Sequence, residues 1–209
     1  MRLVLISDTH NQHLGLSLPK GDVLIHAGDV SGRGQVKEVE AFMDWFSGQD
    51  FPHKICIAGN HDFFFEQADP TAVHDMIPEG VHYLNDSGVT IEGVSFWGSP
   101  ITPWFYDWAF NRQRGKEIEA HWALIPEQTR VLITHGPAMG ILDRTLGGQH
   151  VGCADLYARI RDIQPELHVF GHIHEANGRA EQGNTTYVNA SILDHAYQRV
   201  FSPQIFDLM

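Results

Sequence analysis

Cysteine is nearly absent from this chain of 209 residues: Cys56 and Cys153 are the only two, with no Cys-x-x-Cys spacing between them. That excludes a disulfide-stapled scaffold and a thiolate zinc knuckle, and makes a reducing cytoplasm the expected compartment. Long apolar runs are missing too. None approaches the ~18 residues that a bilayer span needs, and the apolar opening Leu3-Val4-Leu5-Ile6, too short for a signal peptide, is cut off by Asp8 and His10. Basic residues are few, 14 Lys and Arg against 26 Asp and Glu, for a formal charge of −12. Such a surface has no general affinity for nucleic acid or anionic membranes, so a phosphate-bearing ligand would have to be attracted locally, by metal. No repeat, linker or low-complexity tract divides the chain, and residues 1–209 read as one domain.

What is abundant is histidine, 14 residues, as many as Lys and Arg together. The apolar runs Leu3 to Ser7, Val23 to Ala27, Lys54 to Ala58, Val131 to Thr134 and Leu167 to Phe170 read as strands covered on both faces. Val36, Val39, Phe42, Met43 and Phe46 recur at helical spacing, a core-facing stripe. Helices are also predicted around Val73 to Ile77, over Arg112 to Leu124, and behind Cys153 with Leu156, Ile160 and Ile163 inward. Short strands are predicted over 81–83, 89–91, 94–97, 185–189 and near Ile205. Residues 98–111, with Trp104, Phe105, Tyr106 and Trp108, read as an ordered aromatic loop, in which packing is the commoner role and stacking on a base the rarer one. Strands, polar loops and helices in this order indicate an α/β architecture, either one mixed sheet or a sandwich.

Each of the five buried strands ends in polar cargo: Asp8-Thr9-His10, Gly28-Asp29, Gly59-Asn60-His61-Asp62, His135-Gly136 and Gly171-His172-Ile173-His174. Any one of these is ordinary; an isolated Gly-Asn-His is a turn. Together they matter, because in α/β sheets ligands bind at the carboxyl ends of strands. Two carboxylates, four imidazoles and one amide, without thiolate, are too many donors for one ion and suit two divalent cations sharing a carboxylate. Manganese comes first, with iron, zinc or nickel as alternatives.

From Asp8 to Asn189 the chain resembles the calcineurin-like metallophosphoesterases. Within them it is most similar to the small metallophosphoesterase-domain (MPPED-like) subgroup, on Thr134-His135-Gly136-Pro137, on Gly152-Cys153 ahead of a helix, and on Phe170 through Glu175. The resemblance implies a β-sandwich of mixed sheets flanked by helices. It further implies that Asp8, His10 and His174 bind one metal, that Asn60, His135 and His172 bind the other, that Asp29 bridges them and that His61 is the acid beside the leaving group. Protein Ser/Thr phosphatases of this superfamily read Gly-Asp-x-x-Asp-Arg-Gly, the second Asp supporting the catalytic His; Gly32 stands there in this chain, and Ala58 replaces an Arg before Gly59. What orients His61 is thereby open, with Asp62 adjacent in sequence only.

The expected activity is metal-dependent phosphoester hydrolysis, a phosphodiesterase before a phosphomonoesterase, on a small substrate with nucleotides in the candidate class. A nucleotide- or metal-binding regulatory protein is the rival of another kind. A metallo-β-lactamase-type hydrolase is excluded, because no His-x-His-x-Asp-His run exists. His26 reads as a core histidine supporting the site. The remaining histidines, His13 and His168 among them, read as surface or structural. Arg144 and His150 are the loop residues with a route to phosphate, although a solvated loop is the commoner case.

Overall fold

The computed structural model describes residues 1–209. Two sheets face each other. The first is built from Arg2–Ile6 (β1), Val23–Ala27 (β2), His53–Ile57 (β3), Val81–Tyr83 (β4) and Gln204–Asp207 (β13), in the order β13-β1-β2-β3-β4. The second is built from Ser87–Ile91 (β5), Val94–Ser99 (β6), Val131–Thr134 (β9), Leu167–Phe170 (β10), Gly178–Gln182 (β11) and Thr185–Asn189 (β12), in the order β11-β12-β10-β9-β6-β5. The strands β1 to β4 of the first sheet and β6, β9, β10 and β12 of the second run parallel; antiparallel β13 closes one edge of the first sheet, whose other edge is the parallel β4, and antiparallel β11 and β5 close both edges of the second.

Alternation decides which side chain goes where. Leu3, Leu5, Val23, Ile25, Ile55 and Ile57 of the first sheet meet Phe96, Val131, Ile133, Leu167 and Val169 of the second in one buried cluster between them. Their neighbours Val4, Ile6, Leu24 and Cys56 point outward, into a cluster shared with Val39, Phe42, Met43 and Phe46 of Val36–Ser47 (α1). Leu132 and Phe170 point outward from the second sheet into that outer cluster, with Ile118 and Trp122 of Lys116–Trp122 (α4) and Leu156 and Ile160 of Ala154–Ile163 (α5). The fold is the expected one, a sandwich of mixed sheets flanked by helices. Cys56 and Cys153 are free and buried; the Cys153 sulfur caps α5 by accepting from the Leu156 N–H at 3.4 Å.

Some local expectations shift. Val36 begins α1 but is 49% exposed, so the core-facing stripe starts at Val39. The aromatic stretch is not wholly irregular: Thr102–Pro103 (β7) pairs with Asn111–Arg112 (β8), and α4 starts only at Lys116. Phe63–Gln67 (α2) and Pro70–Met76 (α3) are short helices after the Asn60 loop.

Candidate metal centre

The carboxyl ends of β1, β2 and β3 in one sheet and of β9 and β10 in the other converge on one rim. Backbone bonds stitch it: the Asp8 N–H donates to the Gly28 carbonyl at 3.0 Å, and the Gly171 N–H to the His135 carbonyl at 3.0 Å. Glycine is required where the loops touch. A Cβ at Gly171 would lie 2.0 Å from an Asp8 carboxylate oxygen, and one at Gly59 would lie 2.3 Å from Asp29 Oδ1. Strain collects here as well. Asp8, His10, Asp29 and His172 all sit at positive φ (55°, 38°, 55° and 70°), a region non-glycine residues rarely occupy and one that over-determined functional loops retain.

All eight residues singled out in the sequence meet at this rim. His174 Nε2 is 3.3 Å from Asp8 Oδ1, His10 Nε2 is 3.5 Å from Asp29 Oδ2, and His135 Nε2 is 3.3 Å from the same Asp29 oxygen and 3.0 Å from Asn60 Oδ1. The donor atoms of Asp8, His10 and His174 form one compact cluster and those of Asp8, Asp29 and His135 another, each within 4.8 Å. A His61 nitrogen clusters in the same way with His10 and Asp29, so distance alone does not separate the expected acid from the expected ligands. The His172 N–H donates to both Asp8 oxygens at 3.1 Å, and its ring lies 5.0 Å from that of His135.

The histidines are held by their far nitrogens. Nδ1 of His10 bonds to the Ser31 carbonyl (3.1 Å), Nδ1 of His135 to that of Ala27 (2.9 Å) and Nδ1 of His174 to that of Asp194 (3.1 Å). A carbonyl only accepts, so each Nδ1 carries a proton and each Nε2 faces the carboxylates, the tautomer a metal-ligating imidazole needs. His10 Nε2 is buried without a hydrogen-bond partner. An orphaned inward nitrogen beside two buried carboxylates is the environment a cation would complete, so the residues present fit divalent metal.

The electrostatics agree. Burial alone would raise the Asp29 carboxyl, but the charge of His135 and its hydrogen bond hold it well below the usual range; His174 does the same for Asp8. Burial opposes charge on His135 and His174 as well, yet Asp29 and Asp8 carry them up to about 9. Burial takes His172 down to about 3. The site thus balances two carboxylates with imidazolium protons, the charges a divalent ion would replace.

The family description "Calcineurin-like phosphoesterase superfamily domain" matches residues 1–194, a span that holds all eight of these residues. The chain belongs to this superfamily. The human "Metallophosphoesterase domain-containing protein 1" is similar at 44% identity over 99% of this chain and 71% of its own length. A Caenorhabditis elegans UPF0046 protein is similar at 37% over 99% and 74%. These relatives place the calcineurin-like phosphoesterase in the metallophosphoesterase-domain subgroup. It is a metal-dependent phosphoester hydrolase. Among solved structures, one superposes with a TM-score of 0.68 at 16% identity, covering 90% of this chain and 89% of the other. The Thermus thermophilus protein TT1561 gives 0.55 at 12%, covering 90% and 88%. At such identities the likeness concerns the fold alone.

Several functional features of the phosphoesterase lay outside the sequence reading. His61 is oriented by a backbone group, its Nδ1 lying 2.8 Å from the Gly32 carbonyl. Asp62 does not touch that ring; its carboxylate accepts from the N–H groups of Val30, Ser31 and Gly59 and from the Ser31 hydroxyl, tying the Asp29 loop to the Asn60 loop. Tyr197, at φ 57°, sets its ring 5.0 Å from both His10 and His174. The only cue to that turn was Asp194, whose side chain accepts from the N–H groups of Ala196 and Gln198. A cleft of about 280 Å³ opens on Asp29, Asn60, His61, His172 and His174, and an adjoining one of about 250 Å³ shares Phe105, Thr145, His172 and Ile173 with it. Arg144 lines neither, and His150 is bonded to Asp143 at 2.6 Å; the cation on the second cleft is Arg114, whose guanidinium is fixed by the Gly152 and Val151 carbonyls.

Proposed function

We propose that residues 1–209 form one cytoplasmic phosphodiesterase domain working on a dinuclear centre, manganese before iron, zinc or nickel, with nucleotides among its substrates. Asp8, His10 and His174 hold one cation, Asn60, His135 and His172 the other, and Asp29 both. The observation that carries this reading is the tethering of His10, His135 and His174 through Nδ1, with Nε2 turned onto two buried carboxylates. Two buried free thiols fit a reducing compartment.

When bound, a pair of divalent cations supplies a hydroxide near neutral pH and neutralises phosphoryl charge. The chain's own residues do the rest. Asp29 is fixed through Oδ1 by the His61 N–H at 2.8 Å, which leaves Oδ2 to face both ligand sets. His61, with Nδ1 on the Gly32 carbonyl, keeps Nε2 to protonate a departing alkoxide. The two adjoining clefts give room for two substituents on phosphorus, which favours a diester. Trp104 and Phe105 beside Arg114 offer a flat wall and a cation, which suits a base.

Steady-state hydrolysis of bis-p-nitrophenyl phosphate beside p-nitrophenyl phosphate, with Mn²⁺ and then with EDTA, tests this reading. EDTA-sensitive preference for the diester is expected. Preference for the monoester would make the same centre a phosphomonoesterase, and a metal-loaded protein inert toward both would be a binding protein.

A further inference from the structure

His61 has one hydrogen bond to its ring, from Nδ1 to the Gly32 carbonyl, and no side-chain carboxylate joins it. One bond to a carbonyl fixes a point of an imidazole and leaves the ring free to rock about that contact. Proton delivery by a general acid needs the opposite nitrogen aimed within hydrogen-bond reach of the leaving oxygen. The plane of the ring therefore has to be set by packing; the His10 ring stands across it, centroids 4.6 Å and planes 82° apart, and offers it no parallel face. The indole of Trp108 lies against it, centroids 4.3 Å apart and planes 29° apart.

That indole is itself held. The Ala109 N–H donates to the Asn60 carbonyl at 3.1 Å, so the residue after Trp108 is bonded to the residue before His61. The Asn111 amide donates to the Phe105 and Tyr106 carbonyls at 2.9 and 3.1 Å and its oxygen accepts from the Thr102 hydroxyl at 3.0 Å, which closes the loop at its β7–β8 base. Phe63 and Phe105 flank the indole at 6.1 and 6.5 Å. On the other side of His61, Asp62 pins Ser31 and with it the strand of backbone that presents the Gly32 carbonyl.

We propose that Trp108 is the positioning residue of His61, setting the plane of the imidazole that the Gly32 carbonyl anchors. The role rests on the reading of His61 as general acid. It gives the aromatic loop a task other than packing or base stacking: the loop is a rigid arm that carries one flat face to one catalytic ring.

The test uses two replacements of similar bulk, Trp108→Leu, which removes the flat face, and Trp108→Phe, which keeps one. Turnover is measured on bis-p-nitrophenyl phosphate, whose leaving group needs no proton, and on a dinucleoside monophosphate, whose ribose alkoxide does; metal content is measured alongside. Trp108→Leu is expected to lower kcat on the ribose diester by about 10- to 100-fold, to leave the aryl diester within about 2-fold and the metal content unchanged, and Trp108→Phe to restore most of the loss. In a His61→Ala background Trp108→Leu is expected to add nothing. Equal losses on both substrates, equal behaviour of the Leu and Phe variants, or an additive loss on top of His61→Ala would each overturn the proposal. A His61→Ala variant that turns over the ribose diester normally removes His61 as the acid, and the role of Trp108 with it.

Discussion

At the scale of single residues, Asp29 has the most connected position. One carboxylate oxygen is fixed by the His61 N–H, and the other lies between His10 and His135. Asp29→Asn keeps the shape but removes the charge that two imidazoles and both proposed cations share. The variant is expected to bind neither metal stoichiometrically after manganese loading and dialysis, as read by plasma emission. Retention of one full equivalent would show that Asp29 is not common to both sites. The side chains proposed as ligands could be picked out in the sequence because each follows an apolar strand and carries its chemistry in its own name. What holds them was not. Ser31, Ala27, Asp194 and Gly32 act on His10, His135, His174 and His61 through backbone carbonyls, which every residue possesses, so no residue type marks them. Tyr197 was hidden for a related reason: its place depends on a left-handed turn ordered around Asp194.

Among the elements, β2 and β10 carry the same device in the two sheets. His26 on β2 has Nε2 3.0 Å from the Thr9 hydroxyl, between Asp8 and His10; His168 on β10 has Nε2 2.7 Å from the Thr134 hydroxyl, just before His135. The Thr134 hydroxyl donates to the Gly136 carbonyl at 2.7 Å, so His168 must donate to it from Nε2, leaving Nδ1 as a buried acceptor without a partner. Burial pushes both imidazoles down to about 3. The unfolded chain takes up their protons near pH 6.5 while the folded one refuses them, so stability rises with pH across this window and is lost as pH falls from 6.5 toward 3. For His168 alone the loss at pH 4.5 is about 2–3 kcal/mol. His168→Gln keeps a donor toward Thr134 without titrating. Urea unfolding at pH 7 and pH 4.5 is expected to show a smaller acid loss for this variant by about that amount; identical losses would show that His168 protonates in the folded state. Parallel central strands were legible as continuous apolar runs. The edge strand β11, Gly-Arg-Ala-Glu-Gln, was not, because no residue in it is buried and its strand character comes only from pairing with β12.

For the whole molecule, the decisive fact is that the proposed ligand set is divided between the sheets. Asp8, His10, Asp29 and Asn60 follow strands of the first, and His135, His172 and His174 follow strands of the second. Apolar periodicity could show each strand and its cargo. It could not show whether the strands form one mixed sheet or two that face each other, because inward and outward residues are equally apolar in a layer covered on both sides; the element order left both open, and only the family resemblance chose the sandwich. The division has a mechanical consequence. The apolar cluster holds the sheets together along their length, and the proposed cations would tie them again at the carboxyl rim, where the chain otherwise sets carboxylates against buried imidazoles. Cations that bind only the folded chain stabilise it by mass action, about 2.7 kcal/mol for each site at 100-fold excess over Kd. In a chain of this length that is about 5–10 °C in Tm per site. Manganese is therefore expected to raise the calorimetric Tm and EDTA to lower it. Hydrogen exchange should slow on metal binding at Asp8–His10 and His172–His174 more than at the opposite rim, around Asp22 and Glu166. Uniform slowing over both rims would mean that the cations stabilise the fold without acting as a cross-sheet tie, and an unchanged Tm would mean that the rim is equally well held by its own protons.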